Sequence, residues 1–163
     1  MSSSLVIEIG CSSDGWAGAL PDAEALLRRA ANAAWEATGS GNAELSILLS
    51  GDAEIQALNN DYRGENKPTN VLSFPADDEG AAGRPRLLGD VVLALETIKR
   101  EAATQAKPLA DHLSHLTVHG VLHLLGHDHE TETQATAMEA LETEILSGLG
   151  VDDPYTAMDE PVG

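Results

Sequence analysis

PLADHLSHLTVHGVLHLLGHDH, residues 108–129, reads as a helix with abrupt ends that carries a cluster of histidines. Pro108 suits the first turn of a helix, where its missing N–H would have no helical partner anyway. Apolar residues recur at helical spacing to about Leu125, and Gly126 is a natural stop, since glycine readily takes the left-handed conformation that ends helices. His119 and His123 are four apart, so on a helix they sit one turn apart on one face. Two imidazoles so placed can converge on one ion at Zn–N ~2.0–2.1 Å. Gly126 lets the chain swing back, and His129, three residues later, can close a three-histidine site. His127 is the alternative third ligand. Three protein ligands leave the fourth tetrahedral position to water, which marks a catalytic zinc rather than a structural one. Zinc would lower the pKa of that water from ~15.7 towards ~7.

Outward from this helix, strands and helices interleave. Residues 4–9 alternate apolar and polar and predict a strand. Pro21 opens a helix to about Ala37, with Ala23, Leu26, Leu27, Ala30 and Ala34 at helical spacing. Leu45, Ile47 and Leu49 alternate in a second strand, and Asp52 is positioned to cap a helix over 53–62. RGENKPTN, 63–70, has turn composition. VLSF, 71–74, is a short strand stopped by Pro75, and 76–87 reads as an exposed loop. LLGDVVLAL, 87–95, is a fourth strand, followed by a helix over 96–106. Residues 131–148 form a last, acidic helix, and the tail from Asp152 is expected to fray. The fold class this predicts is α/β (α+β-like): one domain over 1–163, with a small four-stranded mixed sheet packed by about five helices. The metal site would lie at a helix end.

The chain has 163 residues, 42% of them hydrophobic and 22% charged, which suits a single globular core. Its single cysteine, Cys11, excludes an internal disulfide framework and a cysteine-based zinc site, and Cys11 itself reads as inert. No apolar run approaches the ~18–20 residues of a membrane span. The first residues lack the basic region and cleavage pattern of a secretory signal, so the expectation is a soluble cytoplasmic protein with no membrane partner.

The spacing H-x3-H-x2-G-x2-H has the form of the metzincin protease motif, with one decisive departure. Those proteases carry Glu directly after the first His as general base; here that residue is Gly120. A helical Gly costs ~1 kcal/mol relative to Ala. Something must therefore approach this helix closely, whether a substrate or simply the sheet.

HGVLHLLGHDH, together with YRGENKPTNVLSFP (62–75) and LLGDVVLA (87–94), resembles the YbeY family of bacterial endoribonucleases, also called rRNA maturation factors. The likeness spans roughly residues 44–149, with the three motifs in the family's order. It implies an α/β domain holding one Zn2+ on His119, His123 and His129. It implies single-strand-specific RNA cleavage, maturation of ribosomal RNA (notably the 3′ end of small-subunit rRNA) and ribosome quality control. The partners implied are RNA, the small ribosomal subunit and its assembly factors. The family's functional arginine maps onto Arg63. Two departures stand out. Asn66 and Asn70 replace frequent acids; as turn-capping residues Asn serves as well as Asp. His127 stands where the family often has Tyr.

Several side chains read two ways. Arg63 either grips a phosphate and the charge developing on it or caps a helix C-terminus; the resemblance favours the first, alongside His119 as the other catalytic residue. Lys67 is a weaker RNA-binding residue. Arg84 and Arg86 lie in the exposed loop. Asp128 either orients a ligand histidine or caps the next helix. His115 is one turn too far to be a ligand and reads as a residue behind the ligands or in the core. His112 reads as a surface residue, while Ser73 and Phe74 end a strand near the site.

The net charge is −18, from nine Lys and Arg against 27 Asp and Glu. It does not exclude RNA, because the charges are uneven. Seven cations fall in residues 63–107, where they balance seven acids, whereas 108–163 has no Lys or Arg and eleven acids. The leading reading is thus a zinc-dependent endoribonuclease. Its rivals are a non-catalytic, zinc-stabilised ribosome-assembly factor and, with Gly120 against it, a zinc peptidase.

Overall fold

The computed structural model describes residues 4–39, 41–76, 85–127 and 130–155. In chain order the elements are β1 (Ser4–Cys11), α1 (Gly15–Ala19), α2 (Ala23–Thr38), β2 (Asn42–Ser50), α3 (Asp52–Arg63), β3 (Val71–Pro75), β4 (Arg86–Ala94), α4 (Leu95–Thr104), α5 (Leu109–Leu124) and α6 (Glu132–Gly148). Among the described residues there are thus six helices, one more than the sequence pattern predicts. The extra one is α1, five residues too short to show a periodicity. It is fixed by Trp16, which is buried and donates its indole N–H to the Ser50 carbonyl at 2.8 Å.

The strands form one mixed sheet in the order β1-β2-β4-β3. β1, β2 and β4 run parallel, and β3 pairs antiparallel to β4, with Val71 opposite Leu93 and Pro75 opposite Gly89. The pleat separates two cores. Leu45, Ile47 and Leu49 of β2 and Val91 and Leu93 of β4 join the larger core with α2, α5 and α6. Leu72, Val92 and Ala94 face the other way, under Ile55 of α3. α3 and α5 therefore cover opposite faces of the sheet.

α5 is the central helix of the larger layer. It is buried nearly all round, from His112 and Leu113 to Leu122 and Leu124, as expected of a helix enclosed by others rather than lying on a surface. Its C-terminus closes at the glycine stop. Gly126 is left-handed (φ 97°), with its N–H on the His123 carbonyl and the His127 N–H on the Leu122 carbonyl, a Schellman turn that ends the helix after Leu124. Gly150 (φ 79°) repeats this turn after α6, through Gly150 N–H to Ser147 and Val151 N–H to Leu146.

After that second turn, residues 152–155 pack back on the protein, and the rest of the tail lies outside the described residues. Pro154 is buried, its carbonyl accepts from Lys107 Nζ at 2.9 Å, and Tyr155 reaches back into the protein. His112 is likewise not a surface residue. It is 4% exposed, and its Nε2 lies 2.9 Å from Glu101 Oε1. Among the described residues no helix is long and apolar enough to cross a membrane.

Candidate active site

The helical repeat of α5 sets His115, His119 and His123 along one stripe. The rings of His119 and His123 are 4.7 Å apart between centroids and inclined at 71°; those of His115 and His119 are 6.3 Å apart. Behind them stands Glu142 of α6, fully buried. Its Oε2 lies 2.6 Å from His119 Nδ1, and its Oε1 lies 3.0 Å from His115 Nε2. The Tyr155 hydroxyl donates to the same Oε1 and lies 3.1 Å from His115 Nε2.

Burial alone would push the Glu142 carboxyl up. Hydrogen bonds from His115, His119 and Tyr155 outweigh that and bring it down to about 2. Glu142 is therefore a carboxylate that accepts from all its neighbours. Burial, and then the Glu142 charge, hold the Tyr155 phenol above its ordinary range, so it stays a donor.

His119 and His123 thus meet on one face as their spacing requires. His129 and Asp128 lie outside the described residues. Among the described residues no group of three His, Cys, Asp or Glu side chains is arranged to hold a metal. His127 is described, partly buried, at the end of the Schellman turn. Arg63 is exposed in the last turn of α3, before the left-handed Gly64. Because α3 covers the sheet face opposite α5, the described contacts do not join Arg63 to the histidines. Lys67 is exposed in the turn that follows, and its carbonyl accepts from the buried Asn59 Nδ2 at 3.0 Å. Arg86 is exposed in β4, and Arg84 lies outside the described residues.

Asn70 does the turn work expected of it, while the Asn66 side chain ties the turn back to α3 instead. Asn70 Oδ1 accepts from Val71 N–H at 2.7 Å, and its Nδ2 donates to Glu101 at 2.9 Å. Asn66 Oδ1 accepts from Gln56 Nε2 at 3.1 Å. The close approach to Gly120 comes from the sheet. A Cβ there would lie 2.9 Å from Val91 Cγ1 and 3.3 Å from Ser73 Oγ, whose hydroxyl donates to the Gly120 carbonyl at 3.0 Å.

Glu142 and Tyr155 are the site-forming residues that sequence reasoning missed. One signal was available: Glu142 sits on the apolar stripe of α6, between Met138 and Ile145, where a carboxylate needs a buried partner.

Comparison with known proteins agrees with this architecture. Residues 17–150 match the family described as Endoribonuclease YbeY. The Endoribonuclease YbeY of Paramagnetospirillum magneticum is 54% identical, covering 93% of this chain and 94% of its own length. That of Bradyrhizobium sp. is 51% identical, covering 91% and 90%. A solution structure of a Thermotoga maritima protein, TM1509, shares the fold with a TM-score of 0.53 at 21% identity, covering 97% of this chain and 99% of that one. The family match spans most of the chain and takes in both α5 histidines and Glu142, so this chain belongs to the YbeY endoribonuclease family.

Proposed function

We propose that this protein is a single-strand-specific endoribonuclease of ribosomal RNA, notably of the 3′ end of small-subunit rRNA, with one zinc ion held by His119, His123 and His129. The observation that carries this is the α5 histidine pair with Glu142 behind it. A carboxylate on His119 Nδ1 makes that nitrogen the protonated one and leaves the lone pair on Nε2, the arrangement of a metal-ligating histidine. His123 stands one turn on, and the left-handed Gly126 ends the helix three residues before His129 in the sequence. The donor set, three neutral imidazoles, suits zinc.

When bound, the ion supplies Lewis-acid polarisation of a phosphoryl oxygen. The chain's own residues do the rest. Glu142 holds the proton on His119 Nδ1. In this reading the bound RNA itself brings the scissile phosphate between the zinc and Arg63, which no described contact joins to the histidines; Arg63 binds that phosphate and the charge developing on it, with Lys67 beside it on the RNA backbone. The small ribosomal subunit and its assembly factors, in the cytoplasm, are the setting in which this substrate is met.

A peptidase reading has a steric objection as well as a missing base, since any side chain at position 120 must displace Val91. The assembly-factor reading is separated by assay. Cleavage of single-stranded and structured RNA is measured with zinc-loaded and chelated protein and with His119→Ala and Arg63→Ala. Loss of cleavage on chelation and in His119→Ala, with a fall of about 10²–10³-fold in Arg63→Ala, is expected. Undiminished cleavage by both variants would sink the assignment.

A further inference from the structure

We propose that Glu142, steadied by Tyr155, is a positioning residue that fixes His119 as its Nδ1–H tautomer and so leaves the lone pair on Nε2. Glu142 is fully buried, and its two oxygens meet three groups: His119 Nδ1 at 2.6 Å on Oε2, with His115 Nε2 at 3.0 Å and the Tyr155 hydroxyl on Oε1. A carboxylate has no proton to give, so each of these groups must donate. A neutral imidazole carries one N–H, and donation from Nδ1 leaves its lone pair on Nε2.

Tyr155 is itself held in place. Its backbone N–H donates to Asp153 Oδ1 at 2.8 Å, Asp153 is tied to Thr143 of α6 at 3.3 Å, and Lys107 Nζ grips the Pro154 carbonyl at 2.9 Å. The segment after α6 is therefore a strap that locks the carboxylate on which His119 depends. The tautomer follows from these contacts alone; only the affinity readout below rests on the zinc reading.

Glu142→Gln gives a sharp test, because the amide has one acceptor and one donor end. The donors His115 and Tyr155 retain the oxygen end, so the NH2 end faces His119 Nδ1 and forces the Nε2–H tautomer. 15N-edited NMR of the metal-free protein reads His119 directly, and competition with a chelating dye reads zinc affinity. Wild type is expected as Nδ1–H and Glu142→Gln as Nε2–H, with zinc binding weaker by about 10–100-fold. Tyr155→Phe removes one lock but no acceptor. It keeps the Nδ1–H tautomer, broadens its signal and weakens zinc binding less.

An unchanged tautomer and unchanged affinity in Glu142→Gln would reduce Glu142 to a tie between α5 and α6 and overturn the proposal. If that variant does not fold, Tyr155→Phe with a His119 signal as sharp as in wild type and unchanged affinity overturns it instead. A wild type that binds no zinc would refute the metal reading, and the tautomer pair would still decide the role of Glu142.

Discussion

Gly120 shows how one absent side chain serves the fold and limits the chemistry. In an open helix, Gly→Ala would gain about 1 kcal/mol. Here the added Cβ would lie 2.9 Å from Val91 Cγ1, and Val91 is fully buried, so the methyl has no slack to enter. Overpacking of this kind costs about 1–3 kcal/mol. Gly120→Ala is therefore expected to be net destabilising by about 1 kcal/mol, read from the denaturant midpoint at constant slope. A stabilised variant would mean that Val91 rotates freely. At this scale the sequence was informative wherever spacing alone decides. His119 and His123 share a face because a helix has 3.6 residues per turn. Glu142 was harder to read, because an acid in a run of acids resembles a solvated face until the α5 histidines are seen opposite it.

At the scale of elements, the ends of helices were legible where the backbone itself punctuates: Pro108 and Gly126 bracket α5, and Thr131 forms a capping box with Gln134 at the start of α6. The partners of side chains at those ends were not. Asp52 was expected to cap its own helix, but Gly51 takes that position, and the start of α4 uses the carboxylate instead. Asp52 Oδ1 accepts from Thr97 N–H at 3.0 Å and Thr97 Oγ1 at 2.7 Å, and its Oδ2 accepts from Arg100 at 2.9 Å. Glu96 returns the service, accepting from Asp52 N–H at 2.7 Å. Two helix N-termini thus exchange carboxylates across 44 residues, a pairing no local pattern announces. Burial pushes the Asp52 carboxyl up, and the bonds from Thr97 and Arg100 outweigh it, so the carboxyl sits below its ordinary range. The unfolded chain then binds the proton more readily than the folded one. The stability Asp52 contributes is complete above its unfolded pKa of about 3.9 and is lost as pH falls through the lower folded value. The stability gap between wild type and Asp52→Asn is expected to be constant near neutrality and to shrink below about pH 4. Denaturation of both proteins across that range checks it, and a gap independent of pH would refute the role.

For the whole molecule, the question is how a chain of net charge −18 handles RNA. The fold places the histidine stripe between α5 and α6, in the part of the sequence that has no Lys or Arg, while Arg63 and Lys67 project from the end of α3 and the turn beyond it, both exposed. Most of the acid is therefore spread over surface that repels a phosphate backbone, and few cations are available to release counterions from it. Counterion release on single strands gives a log–log salt slope of about −0.7 for each phosphate neutralised. If Arg63 and Lys67 are the phosphate contacts, the slope for naked single-stranded RNA is about −1.4, far shallower than that of a basic RNA-binding domain. The affinity should also be weak at physiological salt. Fluorescence anisotropy across a KCl series, with cleavage blocked by His119→Ala, measures this slope. Arg63→Ala is expected to reduce it by about 0.7, because one phosphate contact is gone. A slope near zero in the wild type, or one that Arg63→Ala leaves unchanged, would remove Arg63 from the RNA path. The cations would then have to be sought on the other face of the sheet.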